Sequence, residues 1–124
     1  MRLAVIADVH SNSEALASVL AQLDREGVEA ILNLGDLVGY NASPNECLEM
    51  LQGRQVWSLA GNHDLALLDP ERAQNFNIIA YDALMWCRQQ IRPEFLEFLQ
   101  GLPLLRKLPG SFMACHGTPA NPDT

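Results

Sequence analysis

The sequence predicts an α/β domain built on a parallel sheet, and three observations carry that prediction. Residues 2–7 (Arg-Leu-Ala-Val-Ile-Ala) and 30–34 (Ala-Ile-Leu-Asn-Leu) are nearly continuous apolar runs, as in parallel strands covered on both faces. Between them the apolar spacing becomes helical: Ala15, Leu16, Val19, Leu20 and Leu23 share one stripe, with Glu14, Gln22 and Glu26 largely off it. Residues with chemical potential also stand where the apolar runs stop, at Asp8-Val9-His10 and at Gly35-Asp36. A strand, a helix and a second strand in this order make a βαβ unit with a right-handed crossover.

The first helix begins near Ser13, where Ser11 or Asn12 can cap it, and Gly27 marks its end. After Asp36 the chain loops through Gly39-Tyr40-Asn41-Ala42. Ser43-Pro44-Asn45-Glu46 then reads as a helix start, with serine as cap and proline at the first helical position. That helix carries Cys47, Leu48 and Leu51 and stops at Gly53. Residues 55–60 form a third strand, which runs directly into Gly61-Asn62-His63-Asp64. Farther on, Phe76, Ile79, Ala80, Ala83, Leu84, Cys87 and Ile91 recur at spacings of three and four until Pro93. Pro93 opens a short helix with Phe95, Leu96, Phe98 and Leu99, ended by Gly101. Residues 104–108 and 111–115 read as a hairpin around Pro109-Gly110, followed by His116-Gly117-Thr118-Pro119.

Composition narrows the function. The 124 residues suit one domain, taken as 1–124, with no repeat and no linker. A net charge of -7 argues against nonspecific nucleic-acid binding through a basic surface. No apolar run reaches bilayer length and no signal-peptide pattern is present, so no membrane partner is expected. Three widely spaced cysteines, Cys47, Cys87 and Cys115, suggest no disulfide framework and point to a cytoplasmic setting.

The functional candidates gather at the carboxyl ends of the predicted strands: Asp8 and His10, Asp36, Asn62 and His63, and His116. Open α/β sheets place their sites at that edge. Each of these residues alone has an ordinary explanation, such as a turn, a cap or a satisfied core histidine. Together they offer carboxylate oxygens, imidazole nitrogens and an amide oxygen, the donors that suit a pair of divalent ions. Asp36 in the centre can bridge two ions through its two oxygens. The loop after the first strand lacks Gly-x-Gly-x-x-Gly, and no Gly-rich loop ends in Lys-Ser/Thr, which sets aside dinucleotide and triphosphate cradles. The cysteines fall on apolar faces and offer no nucleophile.

Asp8-Val9-His10, Gly35-Asp36, Gly61-Asn62-His63-Asp64 and His116-Gly117, in this order, resemble the calcineurin-like metallophosphoesterases, in particular their small bacterial and archaeal phosphodiesterase branch. Ser11-Asn12 stands where many relatives have Gly-Asn. The resemblance implies a four-layer α/β/β/α sandwich. It also implies two divalent ions, manganese first, with iron, nickel or zinc also suited to the mixed ligands. By position, Asp8, His10 and Asp36 would hold one ion, and Asp36, Asn62 and His116 the second. His63 would face the substrate phosphate, and Asp64 would orient His63. The implied reaction is hydrolysis of small phosphodiesters or phosphomonoesters by a metal-bound hydroxide.

The family's last motif, Gly-His-x-His, does not follow His116; the histidines are His10, His63 and His116 alone. The resemblance therefore implies five of seven ligand residues, a C-terminally truncated domain, an incomplete second sheet and an exposed strand edge open to homo-oligomerisation. Two alternatives stay open at this point. One is a catalytically weak or inactive domain with a structural or regulatory role, and the other a non-hydrolytic nucleotide-binding module.

Overall fold

Three parallel strands carry the site. The computed structural model describes residues 1–124, and its main sheet has the order β1 (Leu3–Ile6), β2 (Ala30–Asn33), β3 (Val56–Ser58). β2 is central, pairing Leu3 with Ala30 on one side and Ile31 with Val56 on the other. The connections are α1 (Ser13–Arg25) and α2 (Pro44–Gln52), so the βαβ unit read from the sequence is present. Asn12 caps α1 by accepting from the Ala15 amide at 3.0 Å. Gly27, at φ 68°, lets the Val28 amide reach back to the Leu23 carbonyl. Ser43 precedes α2 as expected, but its side chain makes no capping bond; Pro44 at the first helical position is what presets the turn.

Beyond β3 the chain is helical: α3 (Asn62–Leu68), a 3-10 turn at Pro70–Ala73, α4 (Ile78–Gln90) and α5 (Pro93–Gln100). Gly61 caps α3 and Asn62-His63-Asp64 form its first turn, where the residues taken singly read as a turn or a cap. The stripe assigned to α4 needs correction as well. Asn77 caps this helix by accepting from the Ala80 amide at 2.9 Å, which leaves Phe76 outside it. With that phase Ala80, Leu84 and Cys87 point inward, whereas Ile79, one position around the helix, is exposed.

The second sheet is a two-stranded antiparallel hairpin, β4 (Leu105–Leu108) and β5 (Phe112–Cys115), in the register Leu105 opposite Cys115. It packs on the face of the main sheet opposite the helices. Leu32, Leu59 and Ala114 meet there, joined by Leu3, Leu34, Trp57 and Leu108. The other face presents Ala4, Ile6, Ile31 and Val56 to Leu16, Leu20, Leu48, Leu67, Phe95 and Leu99. The layers are therefore helices, sheet and hairpin, and the hairpin is the incomplete second sheet.

Coverage is uneven, and here the expectation of a doubly covered β1 fails. Val5 is 58% exposed, and Ala15 and Val19 of the α1 stripe are also exposed. β1 is an edge strand, and the hairpin lies over β2 and β3 rather than over Val5. Val5, Val19, Ala15 and Leu16 consequently line an open apolar groove. No helix is long and apolar enough to cross a membrane.

Candidate metal centre

The loops that leave β1, β2 and β3 converge because two of them are glycine-bordered. Gly35 has φ 104°, and a Cβ there would sit 2.8 Å from the Ala60 carbonyl carbon and the Gly61 Cα. Gly61 in turn faces the Asp36 side chain and backbone so closely that a Cβ would stand 2.5 Å from the Asp36 amide nitrogen. The two strand exits therefore pack backbone against backbone, which only glycine allows. Asp36 is delivered into that contact at φ 59°, and Asp8, His10, Ser11 and Tyr40 also have left-handed backbone. Such conformations in residues other than glycine cluster at sites where surrounding structure holds them in place.

Three hydrogen bonds hold the first two loops together: the Asp8 amide donates to the Gly35 carbonyl at 3.0 Å, His10 to Asp36 at 2.9 Å and Ser11 to Leu37 at 2.9 Å. Asn41 adds a clamp, its side-chain amide donating to the His10 carbonyl at 2.9 Å.

The histidines are aimed by backbone carbonyls. His10 Nδ1 lies 2.9 Å from the Val38 carbonyl oxygen, and His116 Nδ1 lies 2.9 Å from that of Leu34. A carbonyl only accepts, so each Nδ1 carries a proton, which in the neutral ring leaves the Nε2 lone pair facing inward. Both lone pairs converge on one carboxylate oxygen. His10 Nε2 is 3.5 Å and His116 Nε2 is 3.4 Å from Asp36 Oδ2, and Asp8 Oδ1 is 3.7 Å from His10 Nε2. No arginine or lysine pairs with Asp8 or Asp36; their only charge partners are these histidines.

Asn62 completes the arrangement. As oriented, its amide oxygen faces Asp36 Oδ2 at 3.2 Å, Asp36 Oδ1 at 3.3 Å and His116 Nε2 at 3.2 Å, all acceptors. A half-turn of the amide would make these contacts hydrogen bonds in the ion-free protein. With its oxygen turned inward instead, Asn62 would offer a bound cation a lone pair beside Asp36 and His116. The spacing fits as well, because ligands about 2.1 Å from a shared tetrahedral ion stand about 3.4 Å apart. The ligand atoms fall into two groups, Asp8–Asp36–His116 and His10–Asp36–His63, each with its atoms within 4.8 Å of one another. Asp36 belongs to both. The residues present therefore fit divalent ions sharing Asp36.

His63 sits apart from this carbonyl scheme. Its amide donates to Asp36 Oδ1 at 2.9 Å, while its ring lies 4.7 Å from Phe76, 5.0 Å from Tyr40 and 4.7 Å edge-on to His10. Its Nδ1 is buried without a partner, and Gly39 leaves the space beside it. Burial holds the imidazole below its ordinary pKa against the opposing pull of Asp36, so it is neutral at neutral pH.

Asp64 does something other than the expected orientation of His63. Oδ2 accepts from the amides of Asp36 at 2.7 Å and Gly61 at 3.0 Å; Oδ1 accepts from Leu37 at 2.9 Å and Val38 at 3.3 Å. None of these bonds reaches an imidazole. The carboxylate fastens the Asp36 loop to the start of α3, and burial pushes its pKa up to about 6 despite the opposing amides of Gly61, Asp36 and Leu37. Among the cysteines, burial drives the Cys47 thiol up to about 12, which removes it as a nucleophile at neutral pH.

Sequence reasoning passed over Tyr40, Phe76 and Asn41. Tyr40 carried a weak signal, an aromatic residue four places after the central aspartate and preceded by glycine. Phe76 reads from its spacing as part of a helix stripe, and the clamp by Asn41 has no sequence signature.

The family model of the calcineurin-like phosphoesterases matches residues 1–123. The chain belongs to that family. It is 40% identical over 124 residues to an uncharacterized protein of Methanocaldococcus jannaschii, a match covering 98% of this chain and 51% of the relative. The crystal structure of a metallophosphoesterase from Sphaerobacter thermophilus superposes with a TM-score of 0.82 at 36% identity, over all of this chain and 50% of the other. A proposed diadenosine tetraphosphatase shares the fold at 22% identity and a TM-score of 0.73, covering 94% of this chain and 50% of its own. This phosphoesterase-family chain thus spans about half the length of the relatives it matches.

Proposed function

We propose that this phosphoesterase-family chain forms a centre for two divalent ions that hydrolyses small phosphate esters, diesters or monoesters. The observation that carries the reading is the pair of carbonyl-oriented imidazoles whose Nε2 atoms meet Asp36 Oδ2 at 3.5 and 3.4 Å. Asp8, His10 and Asp36 would hold one ion and Asp36, Asn62 and His116 the other, a partition by family position that differs from the closest-spaced groups, in which Asp8 falls with His116 and His10 with His63. Manganese is our first choice, with iron, nickel or zinc compatible with the same donors. When bound, such ions neutralise phosphate charge and lower the pKa of a water nucleophile.

The protein's own residues supply the rest. Asp36 fixes the spacing, because one of its oxygens is already held by the His63 amide. The Val38 and Leu34 carbonyls keep both imidazoles in the ligating tautomer. His63, neutral in the free protein, gains basicity beside an arriving phosphate anion and can then donate a proton to the departing ester oxygen. Asp64 acts through the loop it fastens, as a positioning residue.

The test uses the whole chain, purified and stripped of metal. Added manganese should bind in a ratio approaching two and stimulate hydrolysis of bis(p-nitrophenyl) phosphate. At saturating metal the melting temperature should rise by several degrees, consistent with about 2.7 kcal/mol of linkage at a hundredfold excess over Kd, and chelator should reverse the rise. A homogeneous preparation with neither bound metal nor turnover would leave the silent-domain reading in its place.

Self-association belongs to the same proposal. The free edge of β1, the adjoining Val5–Val19 groove and exposed Phe112 and Met113 on β5 form unpartnered apolar and hydrogen-bonding surface. Light scattering should report a dimer or larger species at micromolar concentration. A monodisperse monomer with and without metal would refute it.

A further inference from the structure

We propose that the depression between Tyr40 and Trp86 is a subsite for a planar aromatic ring carried on the leaving group of the ester. The inference rests on the phosphoesterase reading above and extends it to substrate class. Tyr40 is 46% exposed and Trp86 42% exposed, and with Asn41, Ala42 and Ala83 they line a depression of about 350 Å³.

Its position gives it meaning. The Tyr40 ring stands edge-on to His10 at 4.9 Å and faces His63 at 5.0 Å, so the depression starts where the metal centre stops. A phosphate held by ions bound at Asp36 would project its ester substituent either into solvent or along this wall.

The wall is built rather than accidental. Tyr40 is held at φ 57°, a conformation that costs free energy for a tyrosine and persists only where neighbours impose it. The neighbours are Gly39 at φ 88°, which packs near the Leu84 side chain, and Asn41, whose backbone and side-chain amides both donate to the His10 carbonyl. Ala83 and Trp86 are three residues apart on α4 and share a face.

Chemistry then selects the ligand. None of the five lining residues is charged, two are aromatic and two are alanines that leave the floor open. Flat apolar walls of this sort favour stacking by aromatic rings. An aryl group and a nucleobase share that chemistry.

Titration of the manganese-loaded chain with two matched pairs of ligands tests the idea at equilibrium: phenylphosphonate against methylphosphonate, and adenosine 5′-monophosphate against ribose 5-phosphate. The ring-bearing member of at least one pair should bind about tenfold more tightly, and the pair that shows it identifies aryl group or base. In a Trp57→Phe background, the ring-bearing ligand should also quench Trp86 fluorescence. Trp86→Ala should reduce the preference to less than twofold, and Tyr40→Leu should do the same from the other wall. Equal affinities within both pairs, or a preference untouched by both variants, would overturn the subsite while leaving the phosphoesterase reading intact. Failure of all four ligands to bind in the presence of metal would overturn that reading and the subsite with it.

Discussion

An Asp36→Asn variant should lose divalent-ion binding at both positions while keeping its fold. The substitution preserves shape, and Oδ1 can still accept from the His63 amide. What disappears is the charge at the oxygen on which His10 and His116 converge, at 3.5 and 3.4 Å. An amide placed there offers either a weaker neutral oxygen or an N–H group aimed at the imidazole lone pairs. Changes outside the ligand shell commonly cost about 10–100-fold in metal affinity, and loss of a shared ligand should exceed that range. Metal analysis after dialysis should fall from about two ions to fewer than one, with hydrolysis lost in parallel and circular dichroism unchanged. Asp8→Asn, at a more exposed carboxylate, should weaken binding less. If Asp36→Asn retained two ions with unaltered affinity, the bridging assignment would be wrong.

The second large effect concerns stability. Asp64→Asn should destabilise the fold by about 3 kcal/mol or more, because four buried amides lose a carboxylate that accepts from all of them. Asparagine can place only one oxygen among those donors and turns its own N–H groups toward the rest. For a domain of this size the melting temperature should fall on the order of 10 °C. His63→Gln offers the contrast: its ring makes no hydrogen bond through Nδ1, so it should impair turnover more than stability. A melting temperature within 2 °C of the parent for Asp64→Asn would show that the amide clamp contributes little.

These two carboxylates also show how far the sequence can be read. Asp36 was legible: an aspartate bordered by glycine at the end of an apolar run, matched by Asp8-Val9-His10 and Gly61-Asn62-His63-Asp64 at neighbouring strand ends. Asp64 was legible only as a residue of the motif. Three of its four partners are backbone amides 26 to 28 positions away, and backbone groups carry no residue identity to read. The same limit hid the turn of His10 toward Val38 and of His116 toward Leu34, across 28 and 82 positions.

Burial was the other quantity that local pattern misjudged. Val5, Val19 and Ile79 are as apolar as their buried neighbours, and periodicity placed Val19 and Ile79 on inward stripes. Exposure of Val5 and Val19 depends on what packs over the edge strand, and that of Ile79 on the helix phase set by Asn77.

By itself the sequence determined the strand–helix–strand order, the residues at the strand exits and the glycines beside Asp36, since each depends on short-range spacing and steric demand. Tertiary structure alone decided which imidazole nitrogen faces inward, that Asp64 accepts from loop amides rather than from an imidazole, and that Tyr40 and Trp86 frame one depression beside the candidate metal centre. Those outcomes arise from contacts between distant segments, and no window of adjacent residues contains both partners.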